Sequence, residues 1–124
     1  MKKFIFLTVS IVTLTVFTAY ANDCDKAKTH ASEAYSYFKK AYEASSLEEA
    51  QAYAKKGMIE ASSAEYKSKW ECGCDEAKEA AVMAYLHGKR AYKWSNSLSE
   101  AKDHLKKAMD SASEITTKLK KCGK

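Results

Sequence analysis

An all-α protein is predicted, a four-helix bundle built from two duplicated antiparallel helical hairpins and stapled by disulfides. Three observations predict it. Small and apolar residues recur every three or four positions along four stretches, which is the period of one helix face. The 124 residues include no proline and only four glycines, so breaks are few and nothing reads as sheet. Four cysteines bracket two stretches that repeat each other on either side of Cys72-Gly73-Cys74.

Residues 1–21 read as a secretory signal: Lys2-Lys3, an apolar run from Phe4 to Phe17, and Ala19-Tyr20-Ala21 as a small-x-small cleavage site. That run falls short of the roughly 20 apolar residues of a spanning helix, and Thr8, Thr13 and Thr15 interrupt it. No stable membrane insertion is therefore expected after signal removal. Ala21-Asn22-Asp23 lack the small and apolar pattern that precedes a lipidated cysteine. The mature chain, 22–124, is expected to be exported, periplasmic or secreted, and to form a single helical domain with one repeat at 24–73 and a second at 74–123.

In the first repeat, Ala27, Ala31, Ala34, Phe38 and Ala41 form one stripe of a helix over about 25–44, widened by Tyr35 and Tyr42. Ser46-Leu47-Glu48-Glu49 is a capping box: the Ser46 hydroxyl can accept from the free Glu49 N–H while the Glu49 carboxylate reaches back. The helix it opens, about 47–70, turns Leu47, Ala50, Ala54, Met58, Ala61 and Ala64 inward, and Lys67 and Lys69 suit its negative end. A third helix, about 75–94, carries Ala77, Ala81, Ala84, Gly88 and Ala91. The fourth, about 98–121, follows the cap Ser97-Leu98-Ser99-Glu100 and has the clearest stripe: Leu98, Ala101, Leu105, Ala108, Ala112, Ile115 and Leu119. Lys118, Lys120 and Lys121 complement its dipole. Tight turns make neighbouring helices antiparallel, so the two cysteines of each repeat meet at the open end of a hairpin. Alanine stripes let helix axes approach closely but bury little area per residue, a deficit that disulfides offset. A compact up-down-up-down bundle and two stacked hairpins both satisfy these constraints; the bundle is preferred, because two hairpins cannot extend into a solenoid.

The duplication rests on register. With Cys24 placed over Cys74, 11 of 22 positions are identical across 24–45 and 74–95 at a spacing of 50. One extra residue, Asn96, shifts the spacing to 51, and Ser46-Leu47, Glu49-Ala50, Lys55-Lys56, Met58, Ala61 and Ser62 all recur. The register slips back by one before the end, where Cys72-Gly73 matches Cys122-Gly123. A fixed period with matched brackets is the mark of an internal repeat.

Export makes Cys24, Cys72, Cys74 and Cys122 disulfide candidates rather than metal ligands or redox thiols. A Cys72–Cys74 bridge would close a very small strained ring. Cys24–Cys72 with Cys74–Cys122 is preferred, since each repeat then carries its own bridge; Cys24–Cys74 with Cys72–Cys122 stays open. The net charge of +5 falls to +3 without Lys2 and Lys3, too balanced to imply nucleic acid.

Each repeat resembles a tetratricopeptide-type unit, two helices of which the second carries small residues at spaced positions, here Ala50, Ala54 and Gly57, and Ala101, Leu105 and Ala108. The likeness covers about thirty residues per repeat and implies peptide or protein binding on a concave face. The repeats are longer than that unit, lack its proline and add the bracketing cysteines.

His30, His87 and His104 are the histidines, and neither Glu-x-x-His nor His-x-x-x-His spacing places them for zinc or di-iron. Met83 and His87 lie one turn apart, as do Glu100 and His104, so Met83, His87 and His104 are the residues of an alternative metal or haem reading. No serine elbow, glycine-rich phosphate loop or singled-out carboxylate pair points to catalysis. Histidine does not recur between the repeats, so a duplicated catalytic site is excluded. No cofactor is expected and the chain is read as a non-enzyme. The seven mature-chain tyrosines are expected to fill gaps that alanine leaves while keeping their hydroxyls wet. Tyr37, Tyr53, Tyr66, Trp70 and Trp94 fall off the main stripes and are the candidate partner-binding residues, since tyrosine and tryptophan dominate binding hot spots. The expected function is protein binding in the cell envelope or outside the cell, with an inhibitor-like or immunity-like role as one concrete form. A carrier of a small ligand or metal in the bundle interior is the alternative.

Overall fold

A computed structural model describes residues 23–122; the predicted signal at 1–21 and the end of the second repeat, Gly123, lie outside the described residues. Within them are four helices: α1 (Asp23–Tyr42), α2 (Leu47–Tyr66), α3 (Asp75–Lys93) and α4 (Leu98–Cys122). α1 packs on α2 and α4, α3 packs on the same two, and the diagonal pairs touch least. This is a closed ring of antiparallel neighbours, the compact bundle. The concave face implied by the tetratricopeptide resemblance does not form, because α1 closes against α4 instead of leaving an open edge.

The expected stripes are the core. Ala27, Ala31, Ala34, Phe38 and Ala41 of α1 are buried, as are Ala50, Ala54, Gly57, Ala61 and Ala64 of α2. They meet Ala77, Ala81, Ala84, Gly88 and Ala91 of α3 and Ala101, Leu105, Ala108, Ala112, Ile115 and Leu119 of α4. Leu47, Met58 and Leu98 are only half-buried at the edge. The axis is filled unevenly. The Phe38 ring lies against bare backbone on α2 and α3, where a Cβ on Gly57 would stand 2.6 Å from it and one on Gly88 2.7 Å from it. Phe38 and Gly88 are matched at the spacing of 50, so one large side chain occupies space that its counterpart leaves empty.

Both caps form. The Glu49 N–H donates to Ser46 Oγ (3.2 Å) and the Glu100 N–H to Ser97 Oγ (3.1 Å). The carboxylates reach one residue farther back than in the usual box, accepting from the Ser45 N–H (3.3 Å) and the Asn96 N–H (2.7 Å). The disulfides are Cys24–Cys72 and Cys74–Cys122, each spanning 48 positions, so the preferred pairing holds.

One element differs from expectation. The second helix does not run as regular α-helix to Trp70: Lys67–Glu71 is a π-helical turn. Between Ser62 and Cys72 the chain holds one residue more than between Ser113 and Cys122. The wider i→i+5 turn absorbs that residue, while α4 remains α-helical through the matching stretch. The exit turn is widened too: the Cys72 N–H donates to the Lys67 carbonyl (2.9 Å) and the Cys74 N–H to the Ser68 carbonyl (2.8 Å). Gly73 between them sits at φ +70°, the left-handed region that glycine enters without steric cost.

Candidate functional site

The positions just before the buried stripe residues line the outer edges of each hairpin. On α1 these are His30, Glu33, Tyr37 and Lys40, and on α2 Tyr53, Lys56 and Glu60. On α3 the matched positions are Ala80, Met83, His87 and Arg90, and on α4 His104, Lys107 and Ser111. Because α1/α2 and α3/α4 are opposite sides of the ring, the protein presents one scaffold with two differently dressed outer faces.

On the first face Tyr37 and Tyr53 come together, with the ammonium groups of Lys40 and Lys56 each 5.7–5.9 Å from both ring centres. That is cation–π range. The same four positions of the second hairpin hold His87, His104, Arg90 and Lys107. Nδ1 of His87 and of His104 is buried with no hydrogen-bond partner among the described residues. Burial first, then the charges of Arg90, Lys107 and His104, hold the His87 imidazole below its ordinary 6.5. A surround of that sign disfavours a cation there. Met83 is 45 % exposed and lines an open cleft of about 300 Å³ with Glu76, Glu79, Ala80, Ser111 and Glu114. The three residues of the alternative metal reading therefore share one edge of α3/α4, and the cleft that Met83 lines includes neither His87 nor His104.

The five candidate partner-binding residues divide into three places. Tyr37 and Tyr53 are half-buried under their lysines. Tyr66 (59 % exposed) and Trp70 (65 %) adjoin in a shallow cleft of about 190 Å³ at the cysteine end of α2. Trp94 (58 %) ends α3 at the opposite end of the bundle, with Lys89 Nζ 5.5 Å from its ring centre. Ile59, 52 % exposed and passed over in the sequence, extends the Tyr66–Trp70 pair along α2. Its i, i+7, i+11 relation to them was the available signal. The matched positions of α4 are Asp110, Thr117 and Lys120, so this apolar strip belongs to the first hairpin alone.

Sequence reasoning also missed a convergence of donors. His30 Nδ1 lies 2.7 Å from Glu60 Oε1, and a Glu33 oxygen joins them within 4.8 Å. His30-x-x-Glu33 is the reverse of the order that was sought, and Glu60 comes from another helix.

Fold and surfaces together define the class: a disulfide-stapled four-helix bundle whose exposed apolar strip lies on the first hairpin, along α2 and the π turn that continues it. Comparison with protein-family models, curated proteins and solved structures returns no match for this chain.

Proposed function

We propose that the protein is an exported binding module that docks on another protein of the cell envelope or extracellular space through the Ile59–Tyr66–Trp70 strip of α2 and the π turn that follows it. One observation carries the reading: Ile59 and Tyr66, two turns apart on α2, and Trp70, in the π turn that continues it, all stand more than half exposed, where the matched helix carries Asp110, Thr117 and Lys120. Aromatic groups held on a rigid support are the usual anchors of binding hot spots. The support is rigid here because the Cys24–Cys72 bridge pins the strip's end of α2 to α1, and preorganisation lowers the entropic cost of association. An inhibitor-like or immunity-like role fits a small oxidised scaffold. Export rests on the signal read at 1–21 and on the two disulfides, which suit an oxidising compartment. Among the described residues no helix is long and apolar enough to cross a membrane. The reading includes no catalysis and no role for nucleic acid.

An interior carrier has less support, since Phe38, Leu105, Ile115, Leu119 and the alanine stripes fill the axis. The test is cross-linking and capture with the oxidised mature protein in its own host's envelope and culture fractions. A partner retained by wild type and by Tyr37→Ala, and released by Tyr66→Ala and Trp70→Ala, is the expected result. Retention that ignores both strip substitutions would sink the proposal.

A further inference from the structure

We propose that His30, Glu33 and Glu60 form a binding site for one first-row divalent metal ion of the zinc class at the outer edge of the first hairpin. His30 and Glu33 stand one turn apart on α1, and Glu60 faces them from α2. His30 and Glu60 are partly withdrawn from water, with side chains 30 % and 21 % exposed. Their 2.7 Å contact is a sufficient hydrogen bond by itself, and a hydrogen-bonded pair has no need of a second carboxylate. Glu33 supplies one, with a donor atom within 4.8 Å of the other two and an exposed side chain free to swing inward. Zinc bonds to imidazole nitrogen and carboxylate oxygen are about 2.0–2.2 Å long and arranged tetrahedrally, so donors on one ion sit roughly 3.3–3.6 Å apart. The His30–Glu60 contact of 2.7 Å has to open by somewhat less than about 1 Å, and Glu33 has to close.

The second hairpin supplies an independent observation. At the matched positions stand Ala80, Met83 and Ser111, with no imidazole or carboxylate among them; they line the open cleft of that face beside Glu76, Glu79 and Glu114. Two hairpins of one design thus differ by the whole triad. One imidazole with two carboxylates is a donor set for zinc and its first-row neighbours; an oxygen-seeking ion such as calcium would leave the histidine idle. Three protein donors leave a coordination position for water or for a side chain of another molecule.

Zinc titration of the oxidised mature protein by calorimetry, with the imidazole resonances of all three histidines followed by NMR, tests this. The expected result is one ion per chain, with the His30 resonances shifting. Affinity should fall about tenfold or more in His30→Gln, Glu33→Gln and Glu60→Gln, since even outer-shell changes cost that much, and stay the same in His87→Gln and His104→Gln. Glu33→Gln is the decisive variant, because its exposed position leaves folding intact, as circular dichroism would verify. No saturable zinc binding, binding indifferent to Glu33→Gln, binding that follows His87 or His104, or equal affinity for calcium would each overturn the proposal.

Discussion

At Gly57 and Gly88 the absence of a side chain is a packing requirement, because Phe38 fills the space a Cβ would occupy. Gly57→Ala is expected to cost about 1–3 kcal/mol, the range for overpacking a tight core, although alanine is the better helix former. Phe38→Ala should cost about 3–5 kcal/mol through the cavity it leaves. Urea unfolding measures both, and a stabilised Gly57→Ala would show that the ring moves aside freely. A second residue-scale expectation concerns His87. Its folded value lies below the ordinary 6.5, so the unfolded chain takes up the proton first as pH falls. The stability tied to its neutral form is complete above about 6.5 and is lost as pH drops toward the folded value. Between about pH 7.5 and about pH 5 wild type should lose more melting temperature than His87→Gln. Equal losses would mean that His87 does not contribute.

Elements here begin where their caps dictate and end where geometry permits. Ser46 and Ser97 cap α2 and α4 identically, so Ser46→Ala and Ser97→Ala should each cost about 1 kcal/mol. Urea midpoints of the two single variants check this, and unequal losses would mean the two turns are not equivalent supports. The π turn makes a sharper demand. If Lys67–Glu71 widens to absorb one surplus residue, deleting Lys69 should restore an α-helical exit like that of α4 and leave both disulfides formed. Circular dichroism and non-reducing peptide mapping of the deletion variant decide the matter; a scrambled or unfolded product would show that the wide turn is itself required. Helix bounds were legible to within a few residues because periodicity and capping are local. Even the surplus residue was visible as a slip in register, though not the turn that houses it.

The whole molecule is held by a core of mostly alanine and by two covalent closures. Each closes a loop that should contribute about 4 kcal/mol in the chain-entropy account, against total stabilities of roughly 5–15 kcal/mol for such domains. Replacing Cys24 and Cys72 by serine is therefore expected to lower the melting temperature strongly and to loosen the end of α2 that carries Tyr66 and Trp70. Loss of partner capture should accompany loss of stability in that variant. Undiminished melting would show that the alanine stripes suffice alone.

Four helices, their inward stripes, both serine caps, the match between the two halves and the preferred cysteine pairing were all readable from the chain alone. Each is set by residues near one another in sequence or by a repeated spacing. Tertiary structure decided what depends on faces meeting: the closed ring in place of an open stack, Phe38 reaching bare backbone on two other helices, and the separation of the five aromatic candidates into three places. It also brought Glu60 to His30 and Glu33. A periodic pattern says which side of a helix turns inward, but only packing sets which residue of another helix stands opposite.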